Sequence, residues 1–327
     1  MLKMSTDLAQ AGLCRHALNG PTMGTRWSAL FFADVDPAPV QAALQVAVAT
    51  VDAQMSIWNP ESDLMRLNRA LVEEWIEVPP DLAQVLRLGL QIGRASGGAF
   101  DIGMGDAVCA WGFGADAADP AAIRAAMDRP KRCAHEVLEL KGDRARKTAP
   151  LTLDLNGIAK GHGVDRLAEV LRDHGITDAL VGIDGEMRAM GLRPDGTPWT
   201  IAVEAPDPER RTSHSILTLQ DAAVATSGDY RHWVMAQGLR LSHTMDPKRG
   251  APLLTSPASV TVIAPTCALA DAWATALMVA GIENGIQMAK RAGIDALFLI
   301  RDDAGGVQSR LVGPLFAAKT AAPAIKE

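Results

Sequence analysis

Ser259-Val-Thr-Val-Ile-Ala264-Pro265-Thr266-Cys-Ala-Leu-Ala-Asp271-Ala-Trp-Ala-Thr275-Ala-Leu-Met-Val-Ala280-Gly281 is the stretch on which the fold turns. Its first six residues are mostly β-branched or apolar and predict a strand. Thr266 suits the N-cap of a helix running to Ala280, and Gly281 suits its end. That helix is apolar nearly all round, through Ala268, Leu269, Ala272, Trp273, Ala276, Leu277 and Met278. Such a helix is buried. Asp271 and Thr275, four residues apart, nevertheless share one of its faces. A carboxylate there is costly unless charged neighbours or a cation offset its desolvation. Beside a hydroxyl it makes a pair of hard oxygens, suited to Mg2+ rather than to zinc. The alternative is structural, with Asp271 paired to an Arg or Lys and Thr275 bonded back to its own helix.

Toward the N-terminus, strand-like runs at Ser215 to Leu219 and Ala222 to Thr226 lead to Ser227-Gly228-Asp229-Tyr230. Trp233 to Ala236 and Leu239 to Ser242 flank Gln237-Gly238, a hairpin that delivers His243. His243 and Asp246 then precede the turn Pro247-Lys-Arg-Gly250. A His near an Asp can act as a base with an orienting carboxylate, although such spacing is common by chance. Thr152 to Asn156 alternates like a strand and runs into Gly157-Ile-Ala-Lys160-Gly161. A helix follows through Val164, Leu167, Ala168 and Leu171. Backbone N–H groups at such a helix start attract phosphate, and Lys160 adds charge. A solvated first-turn lysine is the plainer reading, and the Walker spacing is absent.

Elsewhere, Gly20 to Phe32 passes from turn residues into a strand. Pro37 to about Met55 is an amphipathic helix, Ser62 caps a short one, and Asp81 to Ser96 forms another. Gly112-x-Gly114-x-x-Ala117 imitates a dinucleotide fingerprint, but no strand precedes it and Pro120 follows. Ala115 to Lys147 reads as a surface excursion with a helix. Beyond Gly281 come a helix at Glu283 to Arg291 and a hairpin of Ala296 to Ile300 with Val307 to Leu311. Strands mixed with helices, without strict βαβ alternation or repeats, predict an α+β class.

Composition narrows the function. The 327 residues are 48% apolar and carry a net charge of −6, so there is no basic footprint for nucleic acid. Cys14, Cys109, Cys133 and Cys267 lie far apart and suggest neither a zinc site nor a disulfide framework. No apolar run reaches the ~20 residues of a membrane helix. Met1 to Gly20 has no signal-peptide core, and Leu13 is too bulky for a lipoprotein box ending at Cys14. A cytoplasmic protein without a membrane span is expected.

Taken in order, several stretches resemble the ApbE family, the FAD:protein FMN transferases. They are Met23-Gly24-Thr25; Met55-Ser-Ile-Trp58 with Ser62 and Asn68; Gly98-Ala-Phe-Asp101; and Trp111-Gly-Phe-Gly114. Then come Leu153-Asp-Leu-Asn-Gly-Ile-Ala159-Lys160-Gly161 with Asp165; Thr226 to Tyr230; Ser242-His243 with Asp246-Pro247 and Gly250; and Ala270-Asp271 with Thr275. The resemblance implies two lobes with FAD in the cleft between them, and transfer of its FMN half to a Thr or Ser hydroxyl of an acceptor flavoprotein, AMP leaving. It implies Mg2+ on Asp271, Thr275 and the Ala159 carbonyl, with His243 as base or proton relay. Met23, Trp58, Asn68, Asp101, Lys160, Asp165 and Asp246 would line the FAD site. The implied layout is a flexible N-terminus over 1–19, a two-lobed transferase domain over 20–315, and a loose tail over 316–327.

Two departures stand out. After Asp101 the family's Pro-Thr-Val-Gly is replaced by Ile102-Gly-Met-Gly105, and its Gly-Gly-Asp becomes Asp184-Gly185-Glu186, adding a carboxylate near the diphosphate. Two other functions share this reading: an FAD pyrophosphatase giving FMN and AMP, and a non-catalytic FAD-binding protein.

Overall fold

The computed structural model describes residues 13–207, 210, 212–230, 233–236, 239–302 and 306–317. The chain opens with β1 (Cys14–Thr22) and β2 (Thr25–Ala33), followed by α1 (Pro37–Met55) and α2 (Asp63–Arg69). A small subassembly comes next: β3 (Ile76–Glu77), α3 (Pro80–Ala95), α4 (Gly105–Ala110), α5 (Pro120–Asp128), α6 (Ala134–Val137), β4 (Leu138–Lys141) and β5 (Arg144–Lys147). α7 (Ala159–Asp173) leads to β6 (Ala179–Ile183), β7 (Glu186–Met190), β8 (Trp199–Glu204), β9 (Ser213–Leu219) and β10 (Ala222–Gly228). Two short ribbons follow, β11 (Trp233–Ala236) with β12 (Leu239–Ser242) and β13 (Met245–Asp246) with β14 (Ala251–Pro252). The chain closes with β15 (Ser259–Ala264), α8 (Cys267–Ala280), α9 (Ile282–Ala292), β16 (Asp295–Arg301), β17 (Val307–Val312) and α10 (Pro314–Ala317).

Eight strands form one sheet in the order β1-β2-β6-β7-β10-β15-β16-β17, with each neighbouring pair antiparallel. Alternation along the strands sorts the core into layers. Trp27, Ala29 and Phe31 face α1 and α7, whereas Leu30 and Phe32 face Trp199 and Leu217 of the β8–β9 hairpin. α8 is buried between β10 and β15 on one side and the α2–α6 region on the other. Its Leu277 and Met278 are wholly buried, at about 1.5–3 kcal/mol of transfer free energy each. The architecture is α+β.

Several caps are where the residues place them. Ser62 Oγ accepts from Met65 N–H at 3.1 Å, and Thr266 Oγ1 accepts from Leu269 N–H at 3.4 Å. Asp184-Gly185 is a two-residue hairpin loop between Ile183 and Glu186, with φ 51° and 111°. Positive φ at both positions is a demand that Asp-Gly meets, so the turn accommodates Asp184 in place of a glycine.

Three expectations need correcting. Cys14 to Asn19, placed in a flexible N-terminus, is part of β1, pinned along its length by β2 through the tight turn at Met23-Gly24. Thr152 to Asn156 is not a strand. Its backbone groups are taken by single partners: Gly105 N–H reaches Thr152 O at 2.9 Å, Asp154 N–H reaches Ile102 O at 2.8 Å, and the Asn68 amide takes both groups of Leu153. Phe316, placed in the loose tail, is buried beneath the sheet in α10. Residues 1–12 and 318–327, the Gln237-Gly238 turn and residues 303–305 of the last hairpin lie outside the described residues.

Candidate active site

The starts of α7 and α8 cap each other. α7 has Ile158 at its N-cap position and no side-chain cap from it. Instead Asp271, on α8, accepts the Gly161 N–H through Oδ2 at 3.0 Å. Asp165, on α7, does the reverse, accepting the N–H groups of Cys267 and Ala268 at 2.9 Å each. Arg188 of β7 adds a third contact, Nη1 to Asp165 Oδ1 at 2.6 Å. The approach depends on glycine, since a Cβ at Gly161 would stand 2.5 Å from the Cys267 carbonyl oxygen. Two helix N-termini, each with partial positive charge, meet at one point with buried carboxylates.

Positive charge there is scarce. Lys160 Nζ lies 2.8 Å from Glu186 Oε1 and 3.7 Å from Asp184 Oδ2. Burial works against the ammonium, but Glu186, Asp271 and Asp184 outweigh it and hold its pKa above the ordinary lysine value. Burial raises the Glu186 carboxyl, with Lys160 opposing, and Glu186 Oε2 is buried without a hydrogen-bond partner. Burial likewise raises Asp271 above the usual carboxylate range, against Lys160 and the Gly161 N–H. One ammonium serves three carboxylates.

Thr275 completes the cluster. Its Oγ1 is 3.2 Å from Ser227 Oγ, and a Cβ at Gly157 would come within 3.1 Å of it. Asp154 shapes the loop that carries Gly157, accepting Asn156 N–H at 2.6 Å and its Nδ2–H at 3.1 Å. Burial pushes the Asp154 carboxyl up to about 6, those two bonds opposing.

The structure therefore gathers Ala159, Lys160, Asp165, Asp271 and Thr275. Met23 lies alongside, in a left-handed turn at φ 44°, its Cε 3.2 Å from where a Gly163 Cβ would be. His243 belongs to a neighbouring group: its ring meets Phe113 edge-on at 6.4 Å, and Trp111 Nε1–H donates to Gly250 O at 3.2 Å. Asp246 is in the same loop, its Oδ1 accepting Lys248 N–H at 2.9 Å. α4 links the two groups, since Gly105 is bonded to Thr152 and Ala107 and Ala110 pack on Met245. Asn68 and Asp101 are engaged with backbone: Asn68 with Leu153, and Asp101 Oδ1 with the N–H groups of Gly103 at 2.8 Å and Ala134 at 3.0 Å. Trp58 stands apart, 56% exposed on the loop after α1. Reading the residues alone missed Arg188, Asp154 and Ser227 as partners; only Asp154, two before Asn156, carried a local signal, that of an Asx turn.

Among the described residues, no three His, Cys, Asp or Glu side chains gather as metal ligands, and no helix is long and apolar enough to cross a membrane. The model of the ApbE family matches residues 23–298. A FAD:protein FMN transferase of Vibrio cholerae is 36% identical over 295 residues, 88% of each chain. One from Salmonella typhimurium is 32% identical over 93% of this chain and 89% of its own. The solved flavin transferase ApbE from Vibrio cholerae superimposes with a TM-score of 0.83 at 33% identity, over 94% of this chain and 99% of that one. The apo flavinyl transferase ApbE of Pseudomonas stutzeri gives the same score and identity over 95% and 98%. With a match of this extent in sequence and in fold, the chain belongs to the ApbE family.

Proposed function

We propose that this protein transfers the FMN half of FAD to a Thr or Ser hydroxyl of an acceptor protein, releasing AMP, with Mg2+ at the α7–α8 junction. The observation that carries this is the meeting of two helix starts with a buried carboxylate and a hydroxyl. Helix N-termini and Lys160 suit a diphosphate; the carboxylate and hydroxyl suit a hard cation.

The residues fit that cation on three counts. Burial leaves Asp271 short of compensating charge, Glu186 Oε2 has no partner, and the missing side chain at Gly157 keeps the space beside Thr275 Oγ1 clear. Asp271, Thr275 Oγ1 and the Ala159 carbonyl would hold it, where it would neutralise diphosphate charge as a Lewis acid. Lys160 adds its charge to the diphosphate. Asp165 fixes the spacing of the two helices. Met23 and Trp58 offer surface to the rings of FAD, and Asn68, Asp101 and Asp246 hold the loops lining the cleft between two lobes of residues 20–315. His243 takes the proton of the acceptor hydroxyl as its oxygen attacks the phosphorus of the FMN half. The bond from that phosphorus to the bridging oxygen breaks, and AMP leaves with the bridging oxygen.

Incubation with FAD, Mg2+ and candidate acceptors from the same cell tests this. Flavin fluorescence that stays on the acceptor through a denaturing gel, with one AMP per flavin, is the expected result. AMP and free FMN with no labelled acceptor would make the protein a pyrophosphatase. Intact bound FAD would make it a carrier.

A further inference from the structure

A hydroxyl offers one proton and two lone pairs, and a cation needs a lone pair pointed at it. A helical threonine ordinarily bonds back to the carbonyl one turn earlier. Thr275 has another partner within reach, Ser227 Oγ at 3.2 Å. Ser227 lies on β10 opposite Val260, two residues from the buried Ala225, so its side chain is on the sheet face that packs against α8. The adjacent Thr226 points to the other face and spends its hydroxyl on Thr261, 2.8 Å away. A Cβ at Gly157 would lie 3.1 Å from Thr275 Oγ1, so the glycine leaves that hydroxyl uncrowded.

We infer that Ser227 is the positioning residue for Thr275: Ser227 Oγ accepts the Thr275 hydroxyl proton, which turns the Thr275 lone pairs toward the cation. The inference rests on the Mg2+ assignment above. A bound dication strengthens the hydroxyl as a donor, so occupancy and the Thr275-to-Ser227 bond reinforce each other. Partners behind a metal ligand typically carry about 10–100-fold in affinity.

The test is Mn2+ titration of the FAD-free protein, followed by electron paramagnetic resonance, with melting curves taken metal-free. Ser227→Ala should weaken Mn2+ binding about 10-fold or more and leave the metal-free melt unchanged. The double variant Ser227→Ala/Thr275→Val should bind no worse than Thr275→Val alone, because Ser227 acts through Thr275. Wild-type affinity in Ser227→Ala beside weakened Thr275→Val overturns the inference alone. Additive losses overturn it too, by making Ser227 an independent ligand. So does a weaker metal-free melt that accounts for the lost affinity. If Thr275→Val binds Mn2+ like the wild type, the metal assignment falls and the inference with it.

Discussion

Asp165 offers a sharp test of the mutual capping, because one carboxylate holds two N–H groups of α8 and the Arg188 guanidinium. Asp165→Ala removes all three. Loss of a helix cap costs about 1–2 kcal/mol. Arg188 is the larger concern: its side chain is only 14% exposed, and a buried charge stripped of its partner costs about 3–5 kcal/mol. The two overlap, so a total of about 4 kcal/mol is reasonable. For 327 residues the unfolding entropy is about 0.7 kcal/mol/K, which turns that loss into a drop of about 6 °C in melting temperature. Differential scanning calorimetry measures it directly. Asp165→Ala/Arg188→Met should recover part of the loss, since no charge is then left unpaired. A single variant melting within about 1 °C of wild type, or a double variant no better than the single, would refute the reasoning.

Three further outcomes follow from the same geometry. His243→Ala should lower the transfer rate about 10²–10⁴-fold, measured by single-turnover flavin labelling; a loss well short of that makes the imidazole a contact and not a base. Asp154 titrates near 6 when folded and near ~3.9 when unfolded, so across that window the folded chain holds the extra proton and stability falls as pH rises. Asp154→Asn removes that slope, so its melting temperature relative to wild type should climb from about pH 4 to pH 6 and then level off; a flat difference would contradict the burial of this carboxyl. Asn68→Ala strands both backbone groups of Leu153 and should cost about 2–4 kcal/mol in urea unfolding, while Asn68→Asp, which keeps the acceptor for Leu153 N–H, should lose less.

Legibility in the sequence followed the range of the physics. α8 was readable end to end because its Thr266 cap, all-round apolar surface and Gly281 stop are local features. α1, α2 and α3 were readable for the same reason. β1 was missed since its Arg15, His16 and Asn19 look like loop, and only pairing with β2 makes them strand. Thr152 to Asn156 misled because alternation reports two faces, not a neighbouring strand, and here Asn68 stands where a strand would. Asp271 and Thr275 were legible as a pair through their helical spacing. Their partners Gly161 and Ser227 were not, because 110 and 48 residues separate each from the side chain it meets. Nothing local in Asp165 discloses that its carboxylate caps another helix.

The central claim is that the charge of Asp271, held where two helices start, is what the transfer of FMN requires. Asp271→Asn isolates it, because the amide oxygen can still accept the Gly161 N–H while the charge is gone. FMN delivered to the acceptor should then be counted at saturating FAD and Mg2+, beside a melting curve. Transfer should fall to background in a protein that melts at or above the wild-type temperature, since a costly buried charge has been removed. Transfer at the wild-type rate would contradict the claim.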